Sequence, residues 1–166
     1  MAKQTWDAVV RNALYYHLHK DRFAYLYGCK GATITSRAQF NDYVNREPKY
    51  FAKYSKQELD AIYNYCLGKT CFDCSGFIAA ITGCHMYSGA QWEKCTSKSS
   101  DLRMGPAGSI LHLPGHIGID IGYGYYLHFP SEMHSCELGR ISENTTKWTE
   151  TGLLTPYIDY TGASER

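Results

Sequence analysis

The chain has 166 residues, 44% of them hydrophobic, and a formal net charge of +1. This length suits one core, so we expect residues 1–166 to form a single domain. A nearly neutral chain gives no electrostatic reason for a nucleic acid or an anionic membrane as partner, and we expect neither. The first residues show no signal peptide pattern and no apolar run long enough for a membrane anchor, so we expect a protein made in the cytoplasm.

Four segments in the first two-thirds of the chain predict helices, from apolar spacing or from boundary signals. Pro48 stops the second predicted helix, and Ser55 to Glu58 forms a capping box at the start of the third. Gly83 is the C-terminal stop of the fourth. A short extended piece is expected between the first two helices, at 25–31. The predicted helices span 6–20, 36–46, 55–68 and 74–81.

The pattern changes after residue 109, where strands are predicted. Segment 115–121 alternates strictly, with isoleucines on one face, and a glycine turn at 122–124 leads to a returning strand at 125–129. Further short strands are expected near 135–141 and 156–160. Helices followed by strands indicate an α+β fold, with N-terminal helices packed on a C-terminal antiparallel sheet.

Cys74 is the candidate nucleophile. It begins a predicted helix, where unpaired N–H groups and the helix dipole favour the anion that a thiol must become before it attacks. Ser75 and Gly76 leave this turn open to a substrate carbonyl, and the Cys74 N–H can donate to an oxyanion. The chain has seven cysteines, an odd number, which indicates reduced thiols rather than a paired disulfide framework.

Two histidines on the predicted hairpin can supply the base. The three-residue turn puts His128 opposite Gly118, with His116 on the diagonal of the same face, within reach of its ring. Gly118 is expected to leave room for the His128 imidazole. We predict that His128 accepts the Nδ1–H of His116 and so fixes the tautomer of the base.

Two other chemistries fit parts of the pattern. Cys71 and Cys74 have a redox spacing, and together with His112 and His116 they imitate a zinc finger. A thioredoxin-type site has its first cysteine at the helix start, whereas here the second takes that place. Zinc-finger histidines usually lie on a helix, which Pro114 forbids. We therefore expect no metal and no cofactor.

Three segments resemble the NlpC family of papain-like cell-wall peptidases. That family has a D-C-S-G motif at a helix start, a later H-x-G-[IV] strand, and a third polar residue, often histidine, on the next strand. The resemblance implies Cys74 as the nucleophile, His116 as the base and His128 as the residue that orients the base. The matching segments are 73–77, 115–119 and 127–130.

The resemblance also implies substrate contacts. Segment 25–28 resembles the family's Y-x-x-G segment, which makes Tyr25 a candidate for a substrate-side or oxyanion contact. Asp73 and Ser75 resemble positions that help to hold the substrate. The long segment 32–66 has no counterpart in the resemblance, and we expect it to build part of the groove wall.

The implied activity is hydrolysis of an amide bond in peptidoglycan stem peptides, in the usual family reaction the bond between D-glutamate and the diamino acid. The implied partners are peptidoglycan or muropeptides, as for a phage lysin that acts on the cell wall after release, or for a recycling enzyme. Two alternatives stay open: an acyltransferase or lipid hydrolase on the same superfamily fold, and an inactive peptidoglycan-binding module.

Overall fold

The computed structural model describes residues 2–164 and has an α+β architecture. Its helices are α1 Trp6–Leu18, α2 Arg37–Arg46, α3 Pro48–Phe51, α4 Lys56–Cys66, α5 Cys74–Thr82 and α6 Ser88–Glu93. Its first strands are β1 Gln4–Thr5, β2 Phe23–Tyr25, β3 Lys30–Thr33, β4 Thr70–Phe72 and β5 Thr96–Ser99. The remaining strands are β6 Ile110–Leu113, β7 His116–Gly122, β8 Tyr125–His128, β9 Glu137–Arg140, β10 Glu150–Leu153 and β11 Ile158–Asp159.

The main sheet has six antiparallel strands in the order β5-β10-β6-β7-β8-β9. Helix α5 packs on it through Phe77, Ile78 and Ile81, which share one apolar cluster with Ile117 and Ile119 of β7. As the alternation of β7 predicts, its isoleucine face is buried, and it packs against α5.

A second sheet, β2-β4-β3, lies in the part of the chain for which helices and one short extended piece at 25–31 were expected, and β2 and β3 overlap the two ends of that piece. Strand β4 pairs with β2 in parallel and with β3 antiparallel, and it leads directly into α5. The prediction missed β2 and β4 because each has only three residues, too few to display a period. This sheet sets Tyr25 opposite Phe72, two residues before the start of α5.

Helix boundaries follow the predicted signals. Ser36 caps α2, and Ser55 with Glu58 forms both halves of the capping box of α4. Gly83 ends α5 in the left-handed conformation, with φ of 80°. The predicted extension of the first helix to residue 20 is wrong, because α1 ends at Leu18 and a 3-10 turn follows. Within residues 2–164, no helix is both long and apolar enough to cross a membrane.

Both faces of the main sheet are covered near β7. On the face away from α5, the Trp148 indole packs with Leu111, Tyr126 and Ile141 in a separate apolar cluster. Gly118 makes this packing possible, since a Cβ there would lie 2.9 Å from the Trp148 ring. The space above Gly118 is therefore occupied by the Trp148 indole, and the His128 ring reaches His116 beside it.

Candidate active site

Cys74 is the first residue of α5, and its position is fixed by the residue before it. The Asp73 carboxylate caps the helix by accepting a hydrogen bond from the Gly76 N–H at 2.6 Å. Gly76 allows the preceding chain to approach closely, because a Cβ there would lie 2.7 Å from the Cys29 carbonyl oxygen. The Cys74 side chain is 7% exposed.

Lys30 holds the side chains on either side of Cys74. Its Nζ donates to the two carboxylate oxygens of Asp73 at 2.7 and 2.9 Å and also to the Ser75 hydroxyl. Asp73 and Ser75, expected to contact substrate, are thus already engaged with the helix cap and with Lys30. Lys30 itself stays half-exposed and lines a cavity of about 450 Å³ that extends along α5 to Tyr87.

The Cys74 sulfur lies against the beginning of β7. The backbone N–H of Ile117, the Lys30 ammonium and the Ser75 N–H favour a thiolate at this position. Burial, followed by the charge of the Asp73 carboxylate, outweighs them and raises the pKa of Cys74 to about 11. The contribution of the helix start, which favours the anion as expected, is therefore smaller than the cost of burying the sulfur.

His116 and His128 form a hydrogen-bonded pair, as the hairpin register predicts. Strands β7 and β8 pair Ile119 with Leu127 and Asp120 with Tyr126, the register expected for the three-residue turn. His116 Nε2 lies 2.8 Å from His128 Nδ1. The predicted use of His116 Nδ1 in this bond is wrong, and Nδ1 is the ring nitrogen that remains to act as a base.

Trp148, which the sequence did not single out, encloses the histidine pair. Its ring stacks on His116 with centroids 5.1 Å apart and planes 8° apart, and it lies 5.6 Å from the His128 ring. Asn144 fixes the tryptophan through two hydrogen bonds to its backbone, at 2.8 and 3.0 Å. Nothing in the polar run 142–147 signals this role, since the contacts are distant in sequence.

Burial keeps both histidines neutral. Removal from water, with a smaller effect from His112, lowers the pKa of His116 to about 4. Burial followed by the neighbouring His116 and His134 rings lowers the pKa of His128 to about 3. Both imidazoles are therefore uncharged at neutral pH, and so is the Cys74 thiol.

The structure brings the thiol to the strand that carries His116, but it does not join the two groups. Among residues 2–164, no hydrogen bond links the Cys74 sulfur to an imidazole. The sulfur belongs to the apolar cluster between α5 and the sheet, whereas the His116 ring stacks on Trp148 at the opposite face. The two groups meet only at the first residues of β7. Catalytic hydrogen bonds are often long before substrate binds.

Tyr25 lies beside Cys74, as the resemblance implies. Burial, and after it the electrostatic interaction with Cys74, raises the pKa of the Tyr25 hydroxyl far above its usual value, so that it stays protonated. Tyr25 also interacts electrostatically with Tyr50, which belongs to the segment 32–66 that was expected to build part of the groove wall.

The redox and zinc patterns do not assemble. Cys71 packs in the cluster beneath α4, whereas Cys74 packs against the main sheet. His112 stacks on Trp92 at 4.6 Å, on a different strand from His116. Within the described residues, no group of three or more cysteine, histidine or carboxylate side chains converges as metal ligands would.

Comparison of the chain with models of known protein families gave no match, and a search of curated proteins gave none either. The resemblance to NlpC peptidases therefore rests on the short sequence segments alone.

Proposed function

We propose that this protein is a papain-like cysteine hydrolase of the NlpC type that cleaves an amide bond in peptidoglycan stem peptides. The bond between D-glutamate and the diamino acid is the proposed target, in the cell wall or in released muropeptides. One observation carries the proposal: α5, which begins at Cys74, packs against β7, the strand whose His116 is hydrogen-bonded to His128.

The reaction starts from a neutral thiol and a neutral imidazole. His116 Nε2 is engaged with His128, so Nδ1 accepts the Cys74 proton as the sulfur attacks the substrate carbonyl carbon. In this tautomer Nε2–H donates to His128 Nδ1, which stabilises the imidazolium that forms. The proposed proton transfer requires the thiol and the His116 ring to come into contact when substrate binds, because no hydrogen bond joins them among the described residues.

The attack turns the carbonyl oxygen into an oxyanion. The Cys74 N–H is in the first turn of α5, where backbone donors have no partner within the helix, and we assign it as the donor to this charge. The imidazolium then protonates the leaving amine as the C–N bond breaks, which leaves a thioester on Cys74. Water, deprotonated by His116, attacks the thioester and releases the carboxylic acid and the thiol.

The proposal is tested by digesting purified peptidoglycan and identifying the released muropeptides by mass spectrometry. Cys74→Ala is expected to abolish cleavage while its thermal unfolding stays close to that of the wild type. Cys95→Ala, which removes another buried thiol, is the matched control and should stay active. Cleavage that survives in Cys74→Ala refutes the nucleophile, and new amino groups at another bond refute the proposed target.

A second candidate is a peptidoglycan-binding module without hydrolytic activity. It is favoured by the raised pKa of Cys74 and by the absence, within the described chain, of a thiol–imidazole hydrogen bond. Sedimentation with purified peptidoglycan distinguishes the two. A binding module sediments with peptidoglycan and releases no fragments. The hydrolase releases fragments, and its Cys74→Ala variant releases none.

A further inference from the structure

A buried carboxylate lies close to the candidate active site and has no role in the proposed chemistry. Glu132 is 6% exposed, and its Oε2 accepts hydrogen bonds from the hydroxyls of Tyr50 at 2.8 Å and Tyr54 at 2.7 Å. Its Oε1 is buried and, among the described residues, has no hydrogen-bond partner. A buried carboxylate with an unused oxygen is costly, and a bound cation would remove that cost.

The tyrosines around Glu132 form an environment that attracts ammonium groups. Tyr50 stacks on Tyr27 with centroids 3.7 Å apart. The Lys53 ammonium lies 3.8 Å from the Tyr50 ring centroid and 5.0 Å from that of Tyr54. A primary ammonium of the chain itself thus already rests on these rings, as cation–π attraction predicts.

The charge of this cluster is that of its carboxylate. Burial, together with the adjacent Glu132, raises the pKa of both Tyr50 and Tyr54 well above the usual range of a phenol. Both hydroxyls therefore remain protonated donors at any physiological pH, and neither adds charge. What the cluster offers a ligand is the Glu132 carboxylate among aromatic rings, two of which the Lys53 ammonium also contacts.

A small cavity opens beside the carboxylate. Its volume is about 140 Å³, and its walls include Tyr54, Ile62 and Glu132, with the carboxylate of Glu58 at its exposed side. A water molecule takes up about 30 Å³ in the liquid, so the space fits a short alkylammonium chain. Apolar walls with a few fixed polar groups are typical of small-ligand sites.

The cluster is connected to Cys74 through Tyr25. Tyr25 interacts electrostatically with Cys74 and also with Tyr50 and Glu132 of the cluster. Tyr25 is therefore a neighbour of both the proposed nucleophile and the cluster.

We propose that Glu132, with Tyr50 and Tyr54, forms a specificity subsite for a primary ammonium group of the substrate. This inference rests on the proposed function, because it assumes a peptide substrate at Cys74. Two amines of a stem peptide have this chemistry: a free N-terminal α-amine and the side-chain amine of the diamino acid.

Binding is tested with Cys74→Ala, in which no hydrolysis interferes. Isothermal titration with 1,5-diaminopentane is expected to show binding, and 1,5-pentanediol, of equal length but uncharged, should not bind. Adding Glu132→Gln should weaken the diamine about tenfold or more, through loss of a charge-assisted contact. Glu93→Gln, which removes an exposed carboxylate of α6, should leave the affinity unchanged. Equal binding of diamine and diol, or an unchanged affinity in Glu132→Gln, overturns the subsite.

Lys53→Met provides a test that does not depend on a buried substitution. Lys53 is exposed, and its ammonium competes for the faces of Tyr50 and Tyr54. Its removal should tighten diamine binding several-fold. If Glu132→Gln does not fold, Lys53→Met alone tests the proposal. An unchanged or weaker affinity of this variant for the diamine overturns it.

Hydrolysis distinguishes the two amines and separates this inference from the proposed function. Stem peptides acetylated at either the α-amine or the side-chain amine are compared, and acetylation of the bound amine should raise KM. Cleavage that depends on Cys74 but is indifferent to both modifications overturns the subsite and leaves the hydrolase intact. Diamine binding that depends on Glu132, without any cleavage, leaves the subsite intact and refutes the hydrolase.

Discussion

Acidification is expected to destabilise the protein through the His116–His128 pair. Both rings are buried and neutral in the folded chain, with pKa values of about 4 and about 3, against 6.5 for an imidazole in water. As the pH falls through 6.5, the unfolded chain takes up protons that the folded chain does not. The stability that these rings contribute is therefore complete above pH 6.5 and is lost as the pH falls toward 4.

The size of the loss follows from the same values. Between pH 6.5 and pH 5 lie about 1.5 pH units, and each unit corresponds to about 1.36 kcal/mol, so one ring accounts for about 2 kcal/mol at pH 5. Because the two rings share one hydrogen bond, their effects are not independent, and the pair is expected to cost about 2–4 kcal/mol. A loss of this size is a large part of the stability of a typical domain.

Urea denaturation at pH 7 and pH 5 measures this loss. His128→Gln should be less stable than the wild type at pH 7 and should lose about 2 kcal/mol less on acidification, because one titrating ring is gone. His19→Gln, which removes an exposed imidazole, is the control and should follow the wild type. A wild-type loss below about 1 kcal/mol, or an equal loss in His128→Gln, refutes the neutral buried pair.

Further predictions concern the proposed catalysis and the packing beneath it. The kcat/KM of peptidoglycan cleavage should be constant from about pH 6 to pH 9, because His116 is a base above its pKa of about 4 and Cys74 stays a thiol below its pKa of about 11. A narrow bell-shaped pH profile within this range would instead indicate a resting thiolate–imidazolium pair. Trp148→Leu should lower kcat about tenfold with little change in KM, since the ring that holds His116 is lost, and Trp148→Phe should restore most of it. Gly118→Ala should cost about 1–3 kcal/mol in thermal unfolding through its clash with Trp148, and a neutral effect would show that the indole can move. EDTA should leave cleavage unchanged, and clear inhibition would restore the zinc interpretation.

The parts of the structure that the sequence predicted are governed by neighbours in the chain. The caps of α5 lie within three residues of its ends, and the β7–β8 register follows from a three-residue turn. These local signals suffice to place Cys74 at a helix start and to bring His116 and His128 together.

The parts that were not predicted depend on contacts between distant segments. Lys30 reaches Asp73 across 43 residues, and Tyr50 reaches Glu132 across 82. Trp148 stacks on His116 only because Gly118 has no side chain in the space that the indole occupies. The depth of burial of Cys74, and with it the raised pKa, also comes from tertiary packing. Periodicity in a single sequence contains none of this information.

The order of the chain also determines when its reactive groups come together during synthesis. Cys74 and its helix leave the ribosome first, whereas the imidazole pair needs both strands of a later hairpin and a tryptophan twenty residues beyond it. Under the proposed chemistry, a nascent chain has a thiol but no base until the sheet is almost complete. Hydrolytic activity would then appear at the last stage of folding, so that incomplete chains in the producing cell are harmless.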